Sequence, residues 1–271
     1  MTAEAIESRK LDIGVVLQTT FQVLGRNLAT FSILGLVLTG LPATIIAYAS
    51  FATMGDQATQ LARGAFTLSP GYLQAIGLSG IAGLILTTIL QGALIYATVQ
   101  DLNGQKASVA DCLATGLRNF LALIAVTILL YLAVGFGMVL LLVPGLMIAC
   151  AWCVAIPALV ADRTGIFGAF SRAADLTRGN RWRIFGLGIL LWIVLLIIST
   201  ISNAVSGVSN LANLDGAEGL AVLTSPAFLV LSVIRSTVSA VVGSTLVAVL
   251  YVELRRLRDG AGPQWLAEIF S

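Results

Sequence analysis

The chain has 271 residues, of which 58% are hydrophobic and only 10% are charged. Soluble domains carry about 25% charged residues, so this composition excludes an ordinary soluble fold and indicates a protein dissolved in a bilayer. The net charge of +2 gives no indication of a nucleic-acid partner, and without histidine the chain lacks the commonest proton carrier and metal ligand near neutral pH.

An amphipathic helix and two membrane spans open the chain. Residues 11–26 form the helix, which we expect to lie on the membrane surface because its apolar residues share one face. That face holds Ile13, Val16, Leu17, Phe21 and Leu24. The spans cover about 30–51 and 78–100, each near the ~20 apolar residues that crossing a bilayer requires, with an outer extension over 70–77. Pro42 removes a backbone hydrogen bond and predicts a kink in the first span.

The same order follows in the next stretch. A second surface helix is predicted over 106–117, and spans three and four over about 120–142 and 146–161. The apolar face of this helix holds Val109, Cys112, Leu113 and Leu117. Residues 143–145, Val-Pro-Gly, separate the two spans without a polar loop, which predicts a tight turn and a close antiparallel pair. Pro157 lies near the inner end of the fourth span.

A third surface helix, over 165–178, precedes the last two spans. Its apolar face holds Ile166, Phe170, Ala173, Ala174 and Thr177. Arg172 and Asp175 lie on the opposite face three residues apart, a spacing at which they can pair. Spans five and six are predicted over about 184–202 and 236–254.

The distribution of positive charge predicts the orientation of these spans. Thirteen of the fifteen Lys and Arg residues lie on one side of them, and only Arg63 and Arg235 fall toward the other. Positive loops remain in the cytoplasm, so both termini are expected there. The other side has two outer loops, over 52–68 and 203–224, and an apolar tail over 261–271 is available to dock on membrane or protein.

The three stretches share one plan, a surface helix followed by two spans, and we interpret them as an internal repeat within a single membrane domain. The copies cover about 11–104, 105–164 and 165–260. Their surface helices end at Arg26-Asn27, Arg118-Asn119 and Gly179-Asn180. Their second spans end at Asp101, Asp162 and Asp259. Every copy enters from the same side, so a symmetry axis would run along the membrane normal. The alternative is the periodicity that any six-span chain with positive inner loops shows.

A basic hinge at the start of the fifth span is the first candidate site. It consists of Arg178, Arg181, Trp182 and Arg183. Arginines attract anionic lipid headgroups, and tryptophan favours the depth of the headgroups. The hinge is therefore a candidate contact for lipid headgroups, with plain determination of topology as the alternative.

Polar residues within the spans form a second candidate site, made of Thr87, Gln91 and Arg235. Gln91 is the costliest of the uncharged groups to bury, so we expect it to find a partner on another helix. Arg235 lies at the outer interface if the sixth span begins near Ser236, where its side chain can reach water. If the membrane begins at Pro226 instead, Arg235 lies near mid-depth and becomes a functional candidate.

Motifs of catalysis are missing from the sequence. Cys150 and Cys153 form a CxxC inside a span, where we interpret both as packing residues because cysteine is an ordinary buried side chain. No Asp or Glu lies in the middle of a span, although coupled transporters usually bury such groups. We expect no catalytic residues, no cofactor and no metal.

Four motifs point to a known family: VPGL from Val143, AIPALVAD from Ala155, AFSRAADLTRGNRWRIFGL from Ala169 and YVELRRLRDG from Tyr251. They resemble the membrane domain of glycerophosphoryl diester phosphodiesterases and the related YciC-type six-span bacterial inner-membrane proteins, from about residue 105 onward. In the phosphodiesterases this domain precedes a soluble catalytic barrel, whereas this chain ends at Ser271. The resemblance therefore implies a bacterial inner-membrane module concerned with lipids, without the activity.

These observations predict an all-α integral membrane protein with six transmembrane helices. We expect a non-catalytic module that associates with lipids or scaffolds a partner, and not an enzyme. Anionic lipid headgroups are its expected partners, with a protein or a second copy of the chain as a further candidate. The alternative is a transporter or exporter of a small amphiphilic molecule, using a polar cavity near Thr87 and Gln91.

Overall fold

The computed structural model of the protein is all-α, with 89% of it helical. It describes residues 10–49, 70–206, 222–223 and 225–260, and no strand occurs among them. The predicted loop over 52–68, most of the loop over 203–224 and the tail over 261–271 lie outside these residues. Six helical segments are long and apolar enough to cross a membrane. The predicted all-α multi-pass membrane fold is confirmed.

The helices follow the predicted order of surface helices and spans. Their bounds are α1 Ile13–Arg26, α2 Leu28–Ala49, α3 Pro70–Leu102, α4 Val109–Arg118, α5 Phe120–Leu140, α6 Leu142–Trp152, α7 Ala155–Asp162, α8 Gly165–Leu176, α9 Arg181–Val205 and α10 Pro226–Asp259. The six spans are α2, α3, α5, α6 together with α7, α9 and α10. The three predicted surface helices are α1, α4 and α8, which precede the first, third and fifth spans.

Contacts divide the chain into two compact units. The first contains the described residues up to Leu34, Thr88–Ile193 and those from Val241 onward. The second contains the described residues of Gly35–Thr87 and Val194–Ala240. All of α1, α4 and α8 belongs to the first unit, which also holds every ion pair discussed below.

The kink predicted at Pro42 takes the form of a π-helical turn over Leu36–Gly40. The N–H of Leu41 donates to the carbonyl of Leu36, five residues back. Proline has no N–H to donate, and a wider turn just before it lets the backbone stay hydrogen-bonded through the helix.

The turn between the third and fourth spans was predicted three residues wide at Val143–Gly145, and this is wrong. Leu141 alone breaks the helix, with φ −158° and ψ 135°. Pro144 and Gly145 lie in α6, whose first turn tolerates proline because its N–H groups have no helical acceptor. The close antiparallel pair is present, since a Cβ atom on Gly145 would lie 2.5 Å from the backbone nitrogen of Met138.

The fourth span was predicted as one helix over 146–161, and this is also wrong. It breaks at Cys153 and Val154, between α6 and α7. The cause is Pro157, which cannot donate to the carbonyl of Cys153 and clashes with it in a regular helix. The hydroxyl of Thr177 supports the broken segment by donating to the carbonyl of Ala151 over 3.0 Å, with the Thr177 side chain fully buried.

Two of the surface helices, α1 and α4, have polar side-chain caps, and each surface helix buries part of its predicted apolar face within the protein. In α1, Asp12 accepts the N–H of Gly14 at 2.8 Å, and the buried residues are Val16, Thr20 and Val23. Phe21 is instead 66% exposed. Ser108 caps α4, and this delays its start to Val109 because serine is strongly preferred at this position. The buried residues of α4 are Cys112 and Gly116, while Leu117 is exposed.

Two spans are longer than predicted. α3 has 33 residues and α10 has 34, so each extends about 50 Å against a hydrocarbon core of about 30 Å. The predicted extension over 70–77 is confirmed as part of α3. α10 begins at Pro226, the earlier of the two starting points considered for this span, so Arg235 lies well inside the helix.

Candidate functional site

Four charged side chains meet where two spans and a surface helix end, and we call them the span-end network: Asp162, Arg172, Arg255 and Asp259. Asp162 is the last residue of α7 and accepts Arg172 Nε at 3.2 Å. It also pairs with Arg255 of α10. Arg172 reaches across to Asp259, which lies 3.5 Å from Arg255 Nε. The side chains of Asp162 and Arg255 are each only 7% exposed, so their charges depend on one another.

The surroundings of the network extend it. Arg255 donates to the hydroxyl of Tyr251 at 2.7 Å, and Arg258 pairs with Asp175 at 2.8 Å. Burial would lower the pKa of Arg172, but Asp259 and Asp162 offset it and the pKa is raised. Arg172 and Asp175 have a spacing that would allow them to pair, but each pairs instead with a charge on another helix.

A simpler ion pair lies at the end of the second span. Arg26, the last residue of α1, donates to Asp101 through Nε at 3.0 Å and Nη2 at 2.5 Å. Asn27 donates to the other carboxylate oxygen of Asp101 at 2.7 Å. Asp101 thus ties the surface helix to the span, as Asp162 does through Arg172.

The same backbone hydrogen bond recurs at three junctions between a surface helix and a span. The carbonyl of Asn27 accepts the N–H of Phe31, and that of Asn119 accepts the N–H of Leu123, both at 2.9 Å. Asn180 and Ile184 make the equivalent bond at 3.0 Å. Asn27 and Asn119 also donate their side-chain amides to the carbonyl four residues earlier, at 3.1 and 3.0 Å.

The predicted basic hinge is divided between different surroundings. Arg183 donates to the carbonyl of Leu11 at 2.5 Å, while Asn180 accepts the N–H of Leu11 at 3.0 Å. The hinge therefore holds the start of α1. Trp182 is 84% exposed, and Arg178 is exposed beside Lys10 in a polar cavity.

Arg181 is the charged residue that lines a largely apolar cavity of about 330 Å³ between α6 and α9, which we call the Arg181 cavity. Its lining includes Leu146, Met147, Cys150, Arg181, Trp182 and Phe185. The Nε atom of Arg181 is buried and has no hydrogen-bond partner among the described residues. The hinge thus brings Arg181 and Trp182 to one cavity and directs Arg178 and Arg183 elsewhere.

The second predicted site consists of residues in different surroundings. Thr87 is exposed and donates within its own helix to Gly83 at 2.7 Å. The partner expected for Gln91 is missing, since its buried Oε1 has no hydrogen bond to any described residue. Arg235 is half-buried in α10 and makes no ion pair within the described part of the chain.

The cysteines are free thiols. The thiol of Cys153 donates to the carbonyl of Cys150 at 3.2 Å. Burial, followed by the charge of Asp111, raises the pKa of Cys112 to about 11. Reactive cysteines need a lowered pKa and access to solvent, and Cys112 has neither. No group of three His, Cys, Asp or Glu side chains in the described residues has the arrangement of a metal site.

No family model matches the chain, and no curated protein or solved structure is significantly similar to it.

The span-end network is the main feature that the sequence analysis did not identify. The aspartates that end the spans were noted only as marks of a repeat. An aspartate that ends a helix lies at the negative end of the helix dipole and is unfavourable there unless paired, and this was a usable signal. It indicates that Asp162 has a partner, although it does not indicate that the partner is Arg255.

Proposed function

We propose that the protein is a non-catalytic six-span module of the bacterial inner membrane that binds anionic phospholipids. The observation that carries the proposal is the Arg181 cavity. Its apolar lining suits acyl chains, and the unpartnered Nε of Arg181 suits a phosphate oxygen, because a buried charged donor without a partner is costly. The motif resemblance to lipid-related membrane domains points the same way.

The proposal includes an orientation of the protein in the membrane and an organisation into three repeats. With thirteen of fifteen basic residues on one side, the termini and Arg181 face the cytoplasm. The exposed Trp182 then lies at the depth of the headgroups, where tryptophan is favoured. The equivalent hydrogen bonds of Asn27, Asn119 and Asn180 support a frame of three repeats.

Replacing Arg181 with glutamine is expected to weaken binding of phosphatidylglycerol about tenfold. A hydrogen bond to a charged group contributes roughly 1.5–3 kcal/mol, and about 1.4 kcal/mol corresponds to a factor of ten. Native mass spectrometry of the protein in neutral detergent, titrated with phosphatidylglycerol, measures this affinity. Binding of phosphatidylcholine should change less, since its headgroup carries no net charge.

Arg256→Gln is the matched control. Arg256 is 61% exposed, and its ion pair with Glu253 is a loose one at 4.0 Å. It removes one charge outside the cavity and should alter phosphatidylglycerol binding less than twofold. An equal loss in the two variants would show a general effect of charge and contradict the proposal. Met147→Trp, which fills the apolar part of the cavity, should weaken the binding of both phosphatidylglycerol and phosphatidylcholine.

A transporter or exporter of a small amphiphilic molecule is the second candidate function. Five buried side-chain oxygens in the spans have no hydrogen-bond partner among the described residues: those of Gln91, Thr98, Thr127, Thr237 and Thr245. Unpaired polar groups are costly in a bilayer, and a polar substrate or water would pair with them.

A cysteine at position 91 tests this alternative. In a variant whose native cysteines are replaced by alanine, Gln91→Cys should react with a membrane-impermeant methanethiosulfonate if a watery path reaches it. Leu129→Cys on the exposed face of α5 is the control, since a lipid-facing thiol should not react. No reaction at position 91 would exclude an open path and favour the lipid-binding module.

A further inference from the structure

A further cavity, of about 460 Å³, lies among the ends of α3, α4 and α7 and the starts of α5 and α8. We call it the Arg163 cavity, and its polar lining consists of Tyr96, Thr115, Arg118, Asn119, Arg163 and Gly165. No carboxylate lines it. It shares no lining residue with the Arg181 cavity, so its ligand does not depend on the function proposed above.

Two arginines of this cavity have no ion pair or hydrogen bond to any described residue: Arg118 and Arg163. Arginines elsewhere in the first unit do have a partner, as Arg26 pairs with Asp101 and Arg172 with Asp162. Both residues are exposed, and two positive charges on one carboxylate-free cavity favour an anion there.

Arg118 is held in place by close packing of α4 on α3. A Cβ atom on Gly116 would lie 2.5 Å from the carbonyl oxygen of Ile89, so only glycine allows this approach. Asn119 lies between α4 and α5, and its side-chain amide donates to the carbonyl of Thr115 at 3.0 Å. The position of Arg118 is therefore determined by two helices and not by a loop.

Arg163 has an unusual backbone conformation. It is the only residue other than glycine with positive φ in the described chain, at 50°. Arg163 directly follows Asp162, the last residue of α7. Gly260 directly follows Asp259, the last residue of α10, and it also has positive φ, at 65°. Arginine is strained in the left-handed conformation, which glycine adopts freely. A strained residue where glycine would serve is characteristic of functional sites.

The start of α8 adds a third positive element. Gly165 lines the cavity, and Thr164, at the cap position, makes no side-chain hydrogen bond to the helix. The first N–H groups of a helix lack helical acceptors and carry partial positive charge, which favours an anion. Tyr96, whose hydroxyl accepts Gln100 Nε2 at 3.1 Å, provides a further polar group.

We propose that the Arg163 cavity binds a phosphate group, as a phosphate mono- or diester, through Arg118, Arg163 and the N-terminus of α8. The guanidinium fork matches phosphate oxygens, and two arginines with a helix N-terminus supply positive charge on more than one side of such a group. The ester is either the headgroup of an anionic lipid or a soluble phosphate compound, since both present the same oxygens.

The test compares Arg118→Gln/Arg163→Gln with Lys106→Gln/Arg256→Gln, which removes two charges outside the cavity. Affinity for inorganic phosphate is measured by isothermal titration calorimetry of the protein in neutral detergent. Affinity for phosphatidylglycerol is measured with the protein in phosphatidylcholine nanodiscs with or without 20% phosphatidylglycerol. The cavity variant should lose at least tenfold in affinity for one probe, and the control less than twofold. Loss for phosphate alone identifies a soluble ligand, and loss for phosphatidylglycerol alone identifies a headgroup. Equal behaviour of the two variants, or no binding of either probe by the unaltered protein, overturns the proposal.

Arg163→Gly separates a binding role from a structural one. Glycine relieves the backbone, so the variant should melt at a higher temperature than the unaltered protein while losing at least tenfold in phosphate or phosphatidylglycerol affinity. Arg163→Lys should retain part of that affinity. A variant Arg163→Gly that melts lower, or that binds as well as the unaltered protein, would contradict the role of Arg163.

Discussion

Replacing Asp162 with asparagine is expected to destabilise the protein by about 3–5 kcal/mol, the usual cost of breaking a buried ion pair. Arg255 is 7% exposed and would remain buried without its closest negative charge. Arg172 would lose one carboxylate but keep Asp259. Titration with sodium dodecyl sulfate in mixed micelles, followed by helical circular dichroism, measures the free energy of unfolding.

The Asp175→Asn variant is the matched control for this change. Asp175 and Arg258 also form a close ion pair, at 2.8 Å, but their side chains are 43% and 44% exposed. Exposed pairs contribute at most about 1 kcal/mol, so this substitution should have a small effect. Equal losses in the two variants would show that burial does not determine the strength of the network.

A double substitution shows how the network contributes. Asp162→Leu with Arg255→Met removes both charges and replaces them with apolar groups, and buried pairs replaced in this way often lose little stability. We expect the double variant to be more stable than Asp162→Asn. If it is less stable, the remaining partners Arg172, Asp259 and Tyr251 require both charges, and the network acts as a unit.

The spans were predictable because each depends on local composition. An apolar run of the length of residues 184–202 has one stable arrangement in a bilayer, a helix, and α9 forms there. Pro42 correctly marked irregular backbone, whereas the break that Pro157 causes in the fourth span was not predicted. What the sequence did not show is the form of the irregularity, a π-helical turn in one case and a break in the other, because that depends on which neighbours supply hydrogen bonds. Thr177, far along the chain from Ala151, is such a neighbour.

The candidate sites were predictable only in part for a related reason. The sequence indicated that Arg181 and Trp182 lie near the membrane surface, but not that Leu146 and Phe185 complete a cavity with them. It gave no sign of a link between Arg118 and Arg163, because their proximity depends on how α4 packs on α3. Charges that end helices at separate points of the chain show their partners only once the helices are packed.

The substitution Gly145→Ala is expected to destabilise the protein by about 3 kcal/mol, at the upper end of the usual cost of overpacking. The new Cβ atom would lie 2.5 Å from the backbone nitrogen of Met138 and 2.8 Å from its Cα. Backbone atoms cannot rotate away as a side chain can, so α5 and α6 must separate. In membranes, close approach at small residues is a main source of helix association.

Gly135→Ala on α5 provides the control for this substitution. A Cβ atom there meets nothing within 4 Å, and alanine inside a helix is favoured over glycine by about 0.5–1 kcal/mol. The two substitutions should therefore change the free energy of unfolding in opposite directions in the same micelle titration. Gly137→Ala should resemble Gly145→Ala, because its Cβ atom would lie 2.9 Å from the Cα of Gly145. If Gly145→Ala instead stabilises the protein as Gly135→Ala does, the one-residue turn at Leu141 does not hold the two helices in backbone contact, and the wall of the Arg181 cavity formed by α6 is free to move.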